Sequence, residues 1–89
     1  MICQRVIYTG RVQGVGFRIT ARQVAAEFAV AGFVRNLPGG EVELVAEGEA
    51  NEVARFLDAV AERIASYILN VTIQDESPTG RQGFQIRHG

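Results

Sequence analysis

The chain has 89 residues, a formal net charge of −1 and a hydrophobic fraction of 47%. This length predicts a single domain over residues 1–89, because a chain below about 100 residues has room for only one core. The near-zero charge argues against binding to nucleic acid or anionic lipid. No apolar run is long enough for a membrane span and no signal peptide is visible, so a cytoplasmic protein without a membrane partner is expected.

Residue counts exclude several kinds of active site. All 9 basic residues are arginine, which rules out a lysine Schiff base and a P-loop lysine. Cys3 is the only cysteine and His88 the only histidine. These counts exclude an internal disulfide and a paired-cysteine site, and they argue against a Ser-His-Asp triad or a multi-histidine metal site. We therefore expect no metal and no cofactor.

The first half of the chain predicts a strand, a helix and a hairpin. Alternating apolar residues predict a first strand over 5–12, and helical spacing predicts a helix over 19–31 that Gly32 ends. A short strand over 33–37 and a third strand over 41–47 flank a Pro-Gly-Gly turn, which predicts a β-hairpin.

The second half predicts a helix and two further strands. Asn51 is a plausible N-cap for a helix that runs to about residue 65. Strands are predicted over 68–75 and, after a glycine-rich loop, over 84–87. This order predicts an α+β, ferredoxin-like β-α-β-β-α-β fold. Its antiparallel sheet has the order 4-1-3-2 with a short fifth C-terminal edge strand, and both helices cover one face.

The densest functional signal is the glycine-rich segment between the first strand and the first helix. Gly14 and Gly16 would let successive backbone N–H groups converge on an anion, and the following helix adds the positive end of its dipole. Arg18 ends the segment with a planar guanidinium that can bind two phosphate oxygens at once. A plain strand-to-helix connection is the alternative interpretation of the glycines, and Arg18 favours the anion site over it.

A second signal is Asn36, at the end of the second strand. In the predicted sheet the first and second strands are parallel, so their C-terminal ends lie at the same edge. We therefore expect Arg18 and Asn36 to lie close together, where the Asn36 amide could orient a water beside a bound phosphate. Asparagine is also a common turn residue, so this hypothesis depends on the topology and not on the residue type alone.

These segments carry a resemblance to a known family. The segment Gly10 to Arg18, together with Gly32-Phe33-Val34-Arg35-Asn36, resembles the acylphosphatases. The resemblance extends over the whole chain in length, in element order and in the terminal Gly-Phe-Gln-Ile-Arg. Further matching positions are Gly40, Val42 and Gly48.

The resemblance implies a metal-free hydrolase that cleaves small acyl phosphates into a carboxylate and inorganic phosphate. By position, Arg18 matches the substrate-binding arginine of the family and Asn36 its water-orienting asparagine. The residues that match its phosphate-binding loop are Gly14, Val15, Gly16 and Phe17, together with Arg18. The only partners expected are the acyl phosphate and its phosphate product, and the chain is expected to be a monomer.

Two positions depart from the family pattern. Gly16 stands where many members have an aromatic residue, which gives the loop more freedom. Leu37 follows Asn36, where some members have a hydroxyl residue that would support the asparagine. Neither departure removes Arg18 or Asn36.

Three other functions fit a ferredoxin-like domain. An RNA-binding domain would need aromatic residues on its central strands, but the third strand has none and carries three acids (Glu41, Glu43 and Glu47) that we expect to face solvent. A metal carrier would need paired cysteines. The main alternative is an accessory module for carbamoyl phosphate without turnover of its own, as at the N-terminus of hydrogenase-maturation carbamoyltransferases.

The end of the chain suggests one more contact. The predicted strand over 84–87 runs back toward the active edge beside the second strand. The carboxylate of Gly89 is therefore expected near Arg18, where it could pair with the empty guanidinium. A frayed, solvated tail is the alternative interpretation.

Overall fold

Five strands form one sheet with two helices on one of its faces in the computed structural model, which describes residues 1–88. The strands are β1 (Ile2–Gly10), β2 (Val30–Asn36), β3 (Val42–Gly48), β4 (Ile68–Glu76) and β5 (Phe84–Arg87). The helices are α1 (Phe17–Ala25) and α2 (Ala50–Ile64), and a short 3-10 turn (Ala65–Tyr67) leads into β4.

The sheet has the order β4-β1-β3-β2-β5. β3 is antiparallel to both β1 and β2, and β4 is antiparallel to β1, whereas β5 is parallel to β2. The predicted ferredoxin-like fold, with its 4-1-3-2 order and fifth edge strand, is confirmed. Its consequence for function is that β1 and β2 end at the same edge of the sheet.

The main core lies between the sheet and the helices. Alternate residues of the strands, such as Val6, Tyr8 and Leu44, point into it and are buried. Phe56 of α2 is fully buried, with its ring centroid 6.2 Å from that of Phe28 and 5.4 Å from that of Phe84. Burial of a side chain of this size contributes about 1.5–3 kcal/mol, so these contacts hold the helices on the sheet.

The first helix is shorter than predicted. α1 ends at Ala25, and Gly32, which was expected to end it, lies within β2. A Cβ at Gly32 would stand 1.8 Å from the carbonyl oxygen of Val45 on β3. The small apolar residues between the two elements fit a helical spacing, but pairing of this segment with β3 prevails over that local pattern.

Two other boundaries differ from the prediction. β1 begins at Ile2 and ends at Gly10, earlier than predicted, because its pairing with β3 begins at Ile2 opposite Gly48. The N-cap of α2 is Glu49, so Asn51 lies inside the helix and its predicted capping role is wrong. β3 ends at Gly48, which leaves room for only one residue before the helix. No helix within residues 1–88 is long and apolar enough to cross a membrane.

Candidate active site

The candidate site lies at the sheet edge where β1 and β2 both end. A cavity of about 270 Å³ opens there, and its lining residues are Val12, Gly14, Gly16, Phe17, Arg18, Ile19 and Asn36. The structure therefore brings Arg18 and Asn36 to one cavity, as the topology predicted. Of the predicted loop residues, Val15 is exposed and does not line the cavity.

The loop that forms the cavity floor is anchored at both ends. Val12 and Phe17 are buried, and the Phe17 ring centroid lies 4.8 Å from that of Tyr8. Between these anchors Gly14 and Gly16 are exposed and have φ values of +78° and +79°. A Cβ at either position would meet nothing within 4 Å, so the left-handed backbone, and not lack of space, requires glycine there.

The loop leaves backbone donors free at the cavity. The N–H groups of Gly14, Val15 and Gly16 donate no hydrogen bond to another residue among those the structure describes. Gly16 is the N-cap of α1, which has no side-chain cap and no acidic residue in its first turn. The unpaired N–H groups and the positive end of α1 therefore make this loop suited to an anion.

Gln13 was not among the predicted site residues. Its Nε2 donates to the carbonyl oxygens of Leu37 and Glu41, each at 2.8 Å, and so joins the loop to the turn that follows Asn36. The turn is closed by the Leu37 N–H, which donates to Glu41 O at 2.8 Å. The signal that could have identified Gln13 is an amide inside a loop of otherwise glycine and apolar residues.

Arg18 is half-buried beside the cavity in the first turn of α1. Its Nη1 lies 3.4 Å from Nδ1 of His88. Across residues 1–88, no carboxylate lies within ion-pair distance of its guanidinium. The predicted contact with the Gly89 carboxylate lies outside the described residues. The charge of Arg18 is therefore not neutralised by any carboxylate in the described chain.

Asn36 is the last residue of β2 and is also half-buried. Its neighbour Leu37 is held by the turn, while the Asn36 side chain makes no hydrogen bond to any residue in the range 1–88. Its amide is therefore free to bind a molecule in the cavity. It can both accept and donate, as a water beside an oxyanion requires.

The cavity lining contains a cation and amides but no carboxylate or thiol. No group of three or more His, Cys, Asp and Glu side chains within residues 1–88 is placed to hold a metal ion. Tyr8 lies beneath the loop, and burial raises the pKa of its hydroxyl, which therefore stays protonated at neutral pH. The arrangement can bind an oxyanion and orient a water, and it offers no evident protein base.

The fold and this loop together define a ferredoxin-like protein with a cavity suited to an oxyanion. Comparison with known proteins identifies the family. The family model described as Acylphosphatase matches residues 4–86, so the chain belongs to the acylphosphatase family. Members hydrolyse acyl phosphates, and this chain is accordingly an acyl phosphate hydrolase.

Individual relatives are similar over nearly the whole chain. The chain is 41% identical to the acylphosphatase of Thermotoga petrophila over 80 residues, and this alignment covers 89% of each protein. The crystal structure of the Bacillus subtilis acylphosphatase is similar with a TM-score of 0.88 and 33% identity, over 98% of this chain and 99% of that one. HypF from T. kodakarensis is similar with a TM-score of 0.84 and 26% identity, over 98% of this chain but 12% of HypF.

Proposed function

We propose that this enzyme hydrolyses its acyl phosphate without a metal, binding the phosphoryl group in the loop from Gly14 to Arg18 and orienting the attacking water with Asn36. The observation that carries this proposal is that the glycine loop, Arg18 and Asn36 line one cavity. Hydrolysis of an acyl phosphate needs few other catalytic groups, because a carboxylate is a good leaving group and the anhydride is already activated.

The loop and Arg18 share the charge of the phosphoryl group. Backbone N–H groups of residues 14–18 donate to its equatorial oxygens, and the Arg18 guanidinium donates to two of them at once. These donors are fixed before the substrate arrives, since Val12 and Phe17 anchor the loop. Fixed donors stabilise the charge that develops as the bond to the leaving group lengthens.

Asn36 acts on the water. Its amide oxygen accepts a hydrogen bond from the water and aims the oxygen lone pair at phosphorus, opposite the acyl oxygen. The water oxygen forms a bond to phosphorus, and the bond from phosphorus to the acyl oxygen breaks. The electron pair of the broken bond leaves with the carboxylate. The water proton passes to a phosphate oxygen, so the reaction needs no protein base.

The alternative is an accessory module that binds carbamoyl phosphate without turning it over. The similarity to a small part of HypF supports it. The similarity to the Bacillus subtilis acylphosphatase, which covers almost all of both chains, favours an enzyme that acts by itself. We also propose a monomer in the cytoplasm without nucleic acid or membrane partners. The net charge of −1 argues against nucleic acid and anionic lipid, and the buried, free thiol of Cys3 fits a reducing compartment.

The test is hydrolysis of benzoyl phosphate in the presence and absence of EDTA. We expect the same rate in both, with inorganic phosphate as a competitive inhibitor. Loss of activity in EDTA that a divalent ion restores would contradict the metal-free mechanism. Binding of phosphate without any turnover would instead support the accessory module.

A further inference from the structure

The only histidine of the chain contacts the candidate active-site arginine. His88 Nδ1 lies 3.4 Å from Arg18 Nη1, although the two residues are 70 positions apart in the sequence. The proposed hydrolysis assigns His88 no role. The contact is therefore a feature of the site that the mechanism above leaves unexplained.

The position of His88 follows from the register of β5. This strand is parallel to β2, with Ile86 beside Val34 and Arg87 beside Arg35. If this register is continued by one residue beyond β5, His88 lies beside Asn36. Phe84 and Ile86 pack against the core on the helix side, and side chains two residues apart share a face. His88 therefore turns toward the first turn of α1, where Arg18 lies.

The chemistry of the two groups determines which atom donates. A guanidinium has five N–H donors and no acceptor, so Arg18 donates and His88 Nδ1 accepts. As an acceptor Nδ1 carries no proton, so this hydrogen bond requires the neutral imidazole with its proton on Nε2. A neutral acceptor can orient the guanidinium without cancelling its charge, whereas a carboxylate in the same place would compete with phosphate for it.

We propose that His88 is a positioning residue that holds the Arg18 guanidinium at the cavity before the substrate binds. The proposal rests on the phosphate-binding role given to Arg18 above. An arginine side chain without a partner samples many rotamers, and ordering it on binding costs free energy. A guanidinium already held by His88 has less freedom to lose, so phosphate and acyl phosphate bind more tightly.

The experiment compares two substitutions of nearly equal shape, His88→Leu and His88→Asn. Leucine removes the acceptor, while asparagine keeps an amide oxygen close to the position of Nδ1. For His88→Leu we expect the KM for benzoyl phosphate and the inhibition constant of inorganic phosphate to rise together by about 3- to 5-fold. A loss of affinity in this range is expected when a single hydrogen bond at an exposed site is removed. The kcat should stay within about 2-fold, and His88→Asn should restore both constants.

Two outcomes would overturn the proposal. One is unchanged or tighter phosphate binding in His88→Leu, and the other is an equal loss in the leucine and asparagine variants. His88 is exposed, and the thermal unfolding of both variants checks that the fold is intact.

Arg18→Ala in the same assay separates this proposal from the one on which it rests. If Arg18→Ala keeps normal phosphate inhibition, the role of Arg18 fails and that of His88 fails with it. If Arg18→Ala loses phosphate inhibition while His88→Leu behaves as the unchanged protein, only the role of His88 fails.

Discussion

Two regions of this protein place arginine in contrasting surroundings. At the cavity, Arg18 contacts the His88 imidazole and has no carboxylate partner among residues 1–88. On the open face, the side of the sheet away from the helices, Arg5 and Arg35 both donate Nε to the carboxylate of Glu43. Glu43 is only 3% exposed, and its single carboxylate is shared by the two guanidinium groups.

A second carboxylate on the open face holds a loop. Glu47 is buried and accepts hydrogen bonds from the backbone N–H groups of Thr79, Gly80 and Arg81, at 3.1, 2.6 and 3.2 Å. The Arg81 guanidinium also donates to it at 3.2 Å. Glu47 thereby fixes residues 77–83, which lead into β5, against the sheet. The interpretation that Glu43 and Glu47 face solvent is wrong.

The pKa values of the two buried carboxylates of the open face lie below the ordinary value of a glutamate. Burial acts to raise the pKa of Glu43, but the hydrogen bonds and charges of Arg5 and Arg35 outweigh it and lower that pKa below its ordinary value. The backbone hydrogen bond from Thr79, opposed by burial and aided by Gly80 and Arg81, lowers the pKa of Glu47 to about 2. Both carboxylates therefore stay ionised at neutral pH and remain ion-paired with their arginines.

The comparison teaches that the residue type alone does not identify an anion-binding arginine. An arginine that is ion-paired with a buried carboxylate contributes to structure and has less attraction left for a substrate. Arg18, which has no carboxylate partner among residues 1–88, keeps its charge available to a phosphoryl group.

The largest effect is expected from Arg18→Ala. It removes the cation from the phosphate site, so kcat/KM for benzoyl phosphate should fall by at least about 1000-fold, which corresponds to about 4 kcal/mol. Arg18→Lys should restore little, because an ammonium lacks the planar fork. Steady-state kinetics and phosphate inhibition measure both changes.

Arg5→Ala is the matched control for Arg18→Ala. It removes an arginine from the open face and should leave kcat/KM within about 2-fold. Because Arg5 is one-third exposed, its loss should lower the free energy of unfolding by about 1 kcal/mol or less. Equal losses of activity in the Arg5 and Arg18 variants would remove the distinction between the two regions.

Asn36→Ala should reduce turnover but not binding. Without the amide the water is no longer oriented, so kcat should fall at least about 100-fold, or about 2.7 kcal/mol, while the inhibition constant of phosphate changes little. Asn51→Ala, on the exposed side of α2, is the control and should have normal kinetics. Normal turnover in Asn36→Ala would show that the water is oriented by another group.

Glu47→Gln tests how the ionised carboxylate of the open face contributes to stability at different pH values. The folded-state pKa of about 2 lies below the ordinary 4.5, so ionised Glu47 stabilises the fold above about pH 4.5, and this contribution is lost as pH falls toward 2. Glutamine cannot accept all of the hydrogen bonds from residues 79–81. The variant should therefore unfold at lower urea concentration than the unchanged protein at pH 7, and the difference should shrink between about pH 4.5 and 2.

Hydrogen exchange gives a second measurement on the same variant. The amides of Thr79, Gly80 and Arg81 should exchange faster in Glu47→Gln, while those of α2 should be little changed. A difference in urea stability that is constant from pH 7 to pH 2 would contradict the role of the ionised carboxylate.

The smallest effect is expected from Ile19→Thr. Ile19 lines the cavity yet is 55% exposed, so it can contact an apolar acyl group. Threonine should raise the KM for benzoyl phosphate by about 3-fold, as expected for a lost apolar contact, and leave acetyl phosphate unaffected. Ile73→Thr is the control, since Ile73 of β4 is 54% exposed and does not line the cavity. Equal shifts for both substrates would contradict a contact with the acyl group.

The sequence by itself determined the element order, the sheet topology and the position of the candidate site. Alternating and helical spacings identify the elements, and the topology then requires the ends of the first two strands to meet at one edge. Arg18 and Asn36 follow from that requirement together with the glycine loop. These features are local patterns combined with a topological rule, and for this reason they could be read without coordinates.

Only the tertiary structure decided how the charges are paired. Glu43 and Glu47 alternate with apolar residues like a solvent-facing set, and their burial depends on arginines and a loop that are distant in sequence. The end of α1 was likewise set by pairing of residues 30–36 with β3. The contact of His88 with Arg18 depends on the register of a short parallel strand. Such contacts join residues far apart along the chain, so no local pattern in the sequence can encode which partner each charge finds.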